Sequence, residues 1–198
     1  MKDDNMNETF KKIQQLLGRY STGRNVILLF VFTQIIYFLM LLYTIPNVMN
    51  YANGMKILDL QPTGYSADYA MTLFDNLGTG GRDYYLYRQI PLDMIYPFLF
   101  AVTYSLLLTY LFKKSFNPES KLHFLSIIPL FGGLFDYFEN IGIIIMLSIY
   151  PGFSIHLANI TSLFSILKSI STTLFFVLLV VGIVGFIIKK FMKLKSRI

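Results

Sequence analysis

Three polar side chains interrupt an otherwise apolar stretch of the chain, at Asp136, Glu139 and Asn140. Their i, i+3, i+4 spacing puts all three on one face of a helix. In a site that excludes water, a carboxyl group can transfer a proton. It can also accept a hydrogen bond from a polar group on an apolar ligand. This helix face is therefore the first candidate for a ligand or proton site.

One cation is available to balance these carboxyl groups, because Lys168 lies inside the last apolar stretch. If the two stretches form antiparallel helices, Lys168 lies at a depth similar to that of Glu139. We therefore predict an ion pair between Lys168 and Glu139 or Asp136. The alternative is that the last membrane-crossing segment begins after Lys168, which would leave its ammonium group at the membrane interface.

Further polar side chains fall in or beside the apolar stretches. Asp93 and Tyr96 lie near the start of the second stretch, Gln34 lies within the first, and Arg82 lies in the connection between them. Ionisable residues within membrane segments usually face the interior of a bundle or a cavity. We expect these side chains to line a polar chamber. The candidate ligand-binding residues are Asp93, Tyr96, Asp136, Glu139, Asn140, Lys168, Gln34 and Arg82.

A structural role for the same residues is the alternative. Buried carboxylate, lysine and asparagine groups can fix the register of packed helices. Gly132, Gly133 and Gly142 can allow close helix contact. Three polar groups in one segment are more than packing needs, which favours a ligand or proton site. No catalytic residue is assigned.

Several classes of enzyme lack their sequence signatures here. The chain has no cysteine and only two histidines, His123 and His156, which are far apart. The lack of cysteine excludes disulfides, thiol nucleophiles and thiolate metal sites. The sequence has no zinc-binding histidine pair and no Gly-x-Ser-x-Gly nucleophile motif. We therefore expect no metal and no cofactor, and we interpret each histidine as an interface residue.

The elements that must position these residues are long apolar segments. Of 198 residues, 55% are hydrophobic and only 14% are charged, which excludes ordinary soluble enzymes and disordered chains. Four runs are long enough to cross the hydrocarbon core as helices, at about 25–45, 90–112, 122–150 and 158–188. We predict an all-α fold. A single transmembrane domain over 1–198 forms a four-helix bundle with a short amphipathic outer cap helix.

The positions of the charges predict the orientation. Most of the 17 Lys and Arg residues lie in the N-terminal segment, in the connection from Lys113 to Lys121 and in the tail from Lys189. The positive-inside rule then puts both termini in the cytoplasm, and we expect a bacterial inner or plasma membrane. The net charge of +6 thus points to anionic membrane lipids as partners rather than nucleic acid. It carries no information on the oligomeric state.

The segment before the first apolar run has helical spacing. Phe10, Ile13, Leu17 and Tyr20 fall on one face, and Asn7 is a candidate cap. We predict an interfacial helix on the cytoplasmic leaflet, and a frayed charged tail is the alternative. The first apolar run is too long for the core of a signal peptide, so we expect it to be retained as a span.

Residues 46–89 form the only sizeable segment outside the predicted spans. Ser66 is a candidate N-cap, and apolar residues recur at helical spacing from Ala67 to Leu77. Gly78 is well placed to end this helix. The pattern predicts a short amphipathic helix whose apolar face covers the ends of the bundle helices, with a partner-binding face as the alternative.

The connection between this cap helix and the second span has two parts. Thr79, Gly80 and Gly81 predict a flexible link. From Arg82 the sequence Arg-Asp-Tyr-Tyr-Leu-Tyr-Arg-Gln predicts the start of a helix that continues into the span. Its tyrosines and its second arginine are typical of the headgroup level of a membrane. The residues placed at that level are Tyr84, Tyr85, Tyr87 and Arg88.

Two stretches, Leu-Asp-Leu-Gln at 58–61 and Leu-Asp-Met-Ile-Tyr-Pro-Phe-Leu-Phe-Ala-Val-Thr-Tyr-Ser-Leu at 92–106, carry a family resemblance. They resemble the EXPERA family of sterol isomerases and sigma-two-receptor-like membrane proteins. The resemblance implies four spans with cytoplasmic termini, a lipid-binding cavity, and ligand-facing carboxyl groups at Asp59 and Asp93. The polar cluster around Asp136 does not fit this pattern, so membership of a different, bacterial-type membrane family is the alternative.

Three functions are open from the sequence. The first is binding of a lipid-like or other apolar small molecule in a polar-floored pocket within the membrane. The second is an enzyme that uses a buried carboxyl group as an acid or base on an apolar substrate. The third is a structural or accessory membrane protein without a ligand. Four spans without an internal repeat argue against transport by this chain alone.

Overall fold

The computed structural model describes residues 2–195, and its fold is 87% helical. The described residues contain no strand and form five helices. These are α1 (Lys2–Tyr20), α2 (Gly23–Tyr51), α3 (Ala67–Ser115), α4 (Lys121–Ile149) and α5 (Ile155–Lys195). The prediction of an all-α fold is confirmed, and the four predicted spans fall on α2, α3, α4 and α5.

Helices α2 to α5 are each long and apolar enough to cross a membrane. Many of their large apolar side chains point away from the bundle, and Leu42, Phe98 and Val180 are 72%, 60% and 60% exposed. An apolar surface of this extent is unfavourable in water, whereas the hydrocarbon core of a bilayer accommodates it. The architecture is that of a multi-pass membrane protein.

Helix α3 lies at the centre of the bundle and packs against α2, α4 and α5. A hydrogen bond of 2.8 Å between the buried hydroxyl groups of Thr33 and Thr103 joins α2 to α3. Near the far end of α3, Ser115 Oγ donates to Gly182 O of α5 over 3.0 Å. Such contacts give the helices polar anchor points where lipid offers no competing partners.

Small residues set the distance between α4 and α5. A Cβ atom added to Gly142 would lie 2.1 Å from Thr161 Oγ1, so a side chain at this crossing requires the helices to move. At Gly132 the added atom would lie 3.3 Å from Phe100 Cε1 and 3.5 Å from Ser171 Cβ. The sequence prediction that these glycines allow close helix contact is confirmed.

Helices α2 and α3 each contain one wider π turn, at Met40–Thr44 and Tyr85–Gln89. An Ile-Pro pair follows each turn directly. Proline has no N–H to donate. Just before each proline, the backbone hydrogen bonds change from the i to i+4 spacing of an α-helix to the i to i+5 spacing of a π turn. The two turns face each other, because the Thr44 hydroxyl donates to the Gln89 side-chain oxygen in the buried interior.

The cap helix forms the first part of α3. Ser66 Oγ accepts a hydrogen bond of 3.1 Å from Tyr69 N, as expected for an N-cap. At Gly78 the backbone turns with φ 59° and ψ −175°, a conformation open essentially to glycine alone. The predictions for Ser66 and Gly78 are confirmed. The flexible link predicted at 79–81 is wrong, because the chain resumes helical geometry at once.

The apolar face of the cap helix is buried over the ends of the bundle helices. Ala70, Leu73 and Phe74 have no exposed surface, and they join a core that includes Val48 of α2 and Met146 of α4. This arrangement agrees with a cover over the helix ends rather than a free partner-binding face. The cap thereby closes one end of the bundle, which we call the cap end.

Tyr85 departs from the sequence prediction. Its side chain is fully buried, and its hydroxyl donates to Asp59 Oδ2 over 2.5 Å. The predicted position at the headgroup level is therefore wrong for Tyr85, although Tyr87 of the same turn is 68% exposed. Tyr85 is the first residue of the π turn, and its side chain points to the loop 52–66 that carries Asp59.

Helix α1 packs against the opposite end of the bundle from the cap. Leu17 is buried against Val26 and Leu106, and Lys113 Nζ donates to Gly18 O at the end of α1. The segment is therefore a docked helix and not a frayed tail. Asn7 lies inside this helix, so its predicted role as the N-cap is wrong.

Candidate functional site

An ion cluster lies between α4 and α5. Lys168 Nζ lies 3.2 Å from Asp136 Oδ1 and also pairs with Glu139 Oε2. Glu139 Oε1 accepts a hydrogen bond of 2.6 Å from Ser165 Oγ. Glu139 is fully buried, and the Lys168 side chain is only 18% exposed. The predicted ion pair of Lys168 is confirmed, with both carboxyl groups.

Asn140 forms a hydrogen bond with a backbone carbonyl that has no helical N–H donor, because a proline lies four residues after it. Pro97 lies inside α3 and cannot donate to the Asp93 carbonyl four residues before it. Asn140 Nδ2 donates to that carbonyl over 2.7 Å. In a membrane, a carbonyl group without a donor is costly, so the asparagine satisfies a break made by the proline.

This account predicts coupling between Asn140 and Pro97. Replacing Asn140 with leucine removes the donor, and we expect the free energy of unfolding to fall by about 1–2 kcal/mol. In a Pro97→Ala background the backbone N–H returns, so the same replacement has a smaller effect. Thermal unfolding of the four proteins in detergent measures this double-mutant cycle. Equal effects of Asn140→Leu in both backgrounds would contradict the account.

A cavity of about 350 Å³ lies next to the ion cluster, toward the cap end. Four of the predicted ligand-binding residues line it: Asp93, Tyr96, Asp136 and Lys168. Its apolar walls come from residues of α2, the loop 52–66, α3 and α5, which are Met40, Ile45, Leu60, Pro62, Phe100 and Phe176. Charged groups on one side and apolar walls on the others are typical of a site for an amphiphilic small molecule.

The loop 52–66 supplies a third aspartate to the cavity. Asp59 and Asp93 both line it. Asp59 Oδ1 and Asp93 Oδ2 are buried, and no donor in the described part of the chain reaches either atom. Buried acceptors of this kind call for a donor from outside the chain or for a proton between them.

Tyr65 connects the same loop to the last helix. Its backbone N–H donates to Ser162 Oγ over 2.7 Å. Burial raises the pKa of its hydroxyl, and the nearby Glu139 and Asp59 carboxyls raise it further. The Tyr65 hydroxyl therefore stays protonated and presents a hydrogen atom close to the ion cluster.

The remaining predicted residues lie outside the cavity lining. Glu139 and Asn140 form the layer behind Asp136, Lys168 and Asp93. Gln34 Oε1 accepts a hydrogen bond of 3.0 Å from the Tyr104 hydroxyl. Arg82 donates to Phe74 O over 2.8 Å and lies over the Tyr150 ring, 4.2 Å from its centroid. Arg82 thus holds the cap helix in place and does not face the cavity.

Sequence reasoning did not find several residues of the site. Gln89, Ser169, Thr172 and Thr173 line the cavity, yet each resembles an ordinary polar residue of a membrane helix in the sequence. Only the family resemblance pointed to Asp59. Within residues 2–195 no group of three or more His, Cys, Asp or Glu side chains is arranged to hold a metal ion. Comparisons with known protein families, curated proteins and solved structures gave no match.

Proposed function

We propose that this multi-pass membrane protein binds a lipid-like or other apolar small molecule in the cavity beside the ion cluster. The observation that carries the proposal is the pair of buried acceptor atoms, Asp59 Oδ1 and Asp93 Oδ2, in a cavity that also has large apolar and aromatic walls. A hydroxyl or amine group on the ligand would donate to these oxygens. The apolar body of the ligand would contact the walls.

The unpaired acceptors argue against a purely structural network. Asp136 and Glu139 both have Lys168 as a partner, as a network that only fixes helix register requires. Asp59 and Asp93 form no ion pair with any cation of residues 2–195, although Asp59 Oδ1 and Asp93 Oδ2 are buried. The EXPERA resemblance implies that these two carboxyl groups face a ligand, which supports the same proposal.

A membrane enzyme is the second candidate, because two carboxyl groups that line one cavity can hold and transfer a proton. Asp59 and Asp93 would then act as an acid and base pair on an apolar substrate.

The proposed orientation in the membrane is the same for both candidate functions. We infer that the termini and α1 lie on the cytoplasmic side, because the segments at that end carry most of the basic residues.

The test is the lipid content of the purified protein and of two cavity variants. We expect an enriched lipid-like species in mild detergent, detected by mass spectrometry. The Asp93→Asn variant removes an acceptor oxygen, and the Ser169→Phe variant fills the cavity. The loss of a buried hydrogen-bond partner is worth roughly tenfold in affinity, so we expect about tenfold weaker retention in Asp93→Asn and at least that loss in Ser169→Phe.

Two controls make this result specific. Ser148 is exposed on α4, away from the cavity, so Ser148→Phe is expected to retain the ligand. Asp75→Asn changes an exposed aspartate that accepts a hydrogen bond from the Tyr150 hydroxyl, and it is expected to behave likewise. If no species is enriched, or if folded Asp93→Asn and Ser169→Phe proteins retain it fully, the proposal is wrong.

A further inference from the structure

A second polar cavity lies at the end of the bundle opposite the cap. It has a volume of about 360 Å³ and lies between the end of α1, the end of α3 and the first turns of α4. Lys11, Gln14, Lys113, His123 and Ser126 line it. In contrast to the cavity at the cap end, its lining includes no carboxyl group from the part of the chain that the structure describes.

The lining presents several hydrogen-bond donors to one space. Lys113 Nζ donates to Gly18 O and to Ser21 Oγ, which fixes its position and leaves its third N–H free. Gln14 Nε2 is buried and has no hydrogen-bond partner among the described residues. The ammonium group of Lys11 adds a second positive charge. A buried amide donor without a partner calls for an acceptor, and the two cations in the same lining favour an acceptor that carries negative charge.

We propose that this cavity binds a phosphate group, and that an anionic lipid headgroup is its source. Phosphate oxygens accept several hydrogen bonds at once and suit lysine and amide donors. Basic pockets at the ends of membrane helices are typical sites for anionic headgroups. The proposal is independent of the cavity at the cap end, since the two sites share no residue.

The surroundings of the cavity favour a lipid over free phosphate. An apolar groove of about 480 Å³ lies on the other side of the last turns of α1. Leu16, Tyr20, Leu28 and Leu106 line this groove, and Leu16 and Tyr20 are 55% and 51% exposed. A lipid held by its phosphate at Lys11 and Lys113 would have apolar surface for an acyl chain on the opposite face of α1, about 10 Å away across the helix.

The test uses the full chain in a non-ionic detergent and isothermal titration calorimetry. The probes are dihexanoyl phosphatidic acid, inorganic phosphate, and dihexanoylglycerol, which has the same chains without the phosphate. We expect the phosphatidic acid to bind and the dihexanoylglycerol not to bind. The loss of one cation beside an anionic headgroup weakens binding by roughly fivefold, so we expect at least that loss in Lys11→Gln. A similar loss is expected in Gln14→Leu.

Neighbouring residues provide matched controls. Lys12 lies next to Lys11 in the same helix, but it pairs with Glu8 on the exposed surface, with 75% of its side chain exposed. Lys12→Gln is therefore expected to bind as the parent protein does, and so is Asp93→Asn. Inorganic phosphate binding that depends on Lys11 would support the phosphate site, and a higher affinity for the phosphatidic acid would support a lipid as its source.

Three outcomes would overturn the proposal. The first is that neither phosphate-bearing probe binds. The second is that the dihexanoylglycerol binds as tightly as the phosphatidic acid. The third is an equal loss of affinity in Lys11→Gln and Lys12→Gln, which would show a general attraction to a basic surface.

Discussion

Replacing Lys168 with methionine is expected to lower the free energy of unfolding by about 3–5 kcal/mol, the usual cost of removing one partner from a buried ion pair. Methionine has a similar length and no charge, so the change removes the cation with little loss of packing. Asp136 and Glu139 both depend on this ammonium group. Without it, they must take up protons or stay charged in the bundle interior, and both alternatives cost free energy.

The measurement is the loss of secondary structure with temperature or denaturant in detergent. A double variant, Lys168→Met with Glu139→Gln, provides the control because it also removes the carboxylate that has no exposed surface. We expect it to be more stable than Lys168→Met alone. An exposed ion pair usually contributes up to about 1 kcal/mol to stability. If the free energy of unfolding of Lys168→Met is within that range of the parent value, the cluster contributes no more than a surface ion pair does.

Replacing Gly133 with alanine is the second change with a large expected effect. A Cβ atom at Gly133 would lie 2.6 Å from Pro97 O and 2.8 Å from Ala101 Cβ. The first of these is a backbone atom, so no side-chain rotation can relieve the contact. The helices α3 and α4 must then separate, and overpacking of this kind costs up to about 3 kcal/mol.

The adjacent glycine is a matched control for that prediction. Gly132→Ala has the same gain in helix propensity, about 1 kcal/mol, and its added atom meets nothing closer than 3.3 Å. We expect Gly132→Ala to be near the parent in stability and Gly133→Ala to be clearly less stable. Separation of α3 and α4 in Gly133→Ala should also weaken the hydrogen bond from Asn140 Nδ2 to the Asp93 carbonyl. Equal melting temperatures for the two variants would contradict the close contact at Pro97.

Local patterns were enough to predict the helices. Long apolar runs without strand-like alternation can only cross a membrane as helices, because lipid offers no partner for the backbone. Ser66 and Gly78 mark the ends of the cap helix through short-range bonding and backbone conformation. The antiparallel depth argument predicted the Lys168 ion pair. In each case the physical cause acts within one segment or between two helices that follow each other in the chain.

Local patterns failed where distant segments meet. Tyr85 resembles an interfacial tyrosine, but its side chain at the start of the π turn points to Asp59 of another segment. Thr79–Gly81 resemble a flexible link, yet Gly81 packs tightly against Tyr51 and Leu77, which requires a residue without a side chain. These outcomes depend on contacts between residues far apart in the chain, which spacing alone does not encode.

The sequence by itself determined the class of protein, the number of membrane helices and the polar face that carries Asp136, Glu139 and Asn140. Hydrophobicity and helical periodicity are local properties, so composition and spacing are sufficient for these. Only the tertiary structure decided which polar groups share a space. It divided the predicted set into residues that line the cavity, residues behind it, and Arg82, which fastens the cap. It also brought Asp59 and Asp93 to the same cavity, because the loop 52–66 packs against the start of the second span. This packing leaves one acceptor oxygen of each carboxyl group without a partner among the described residues.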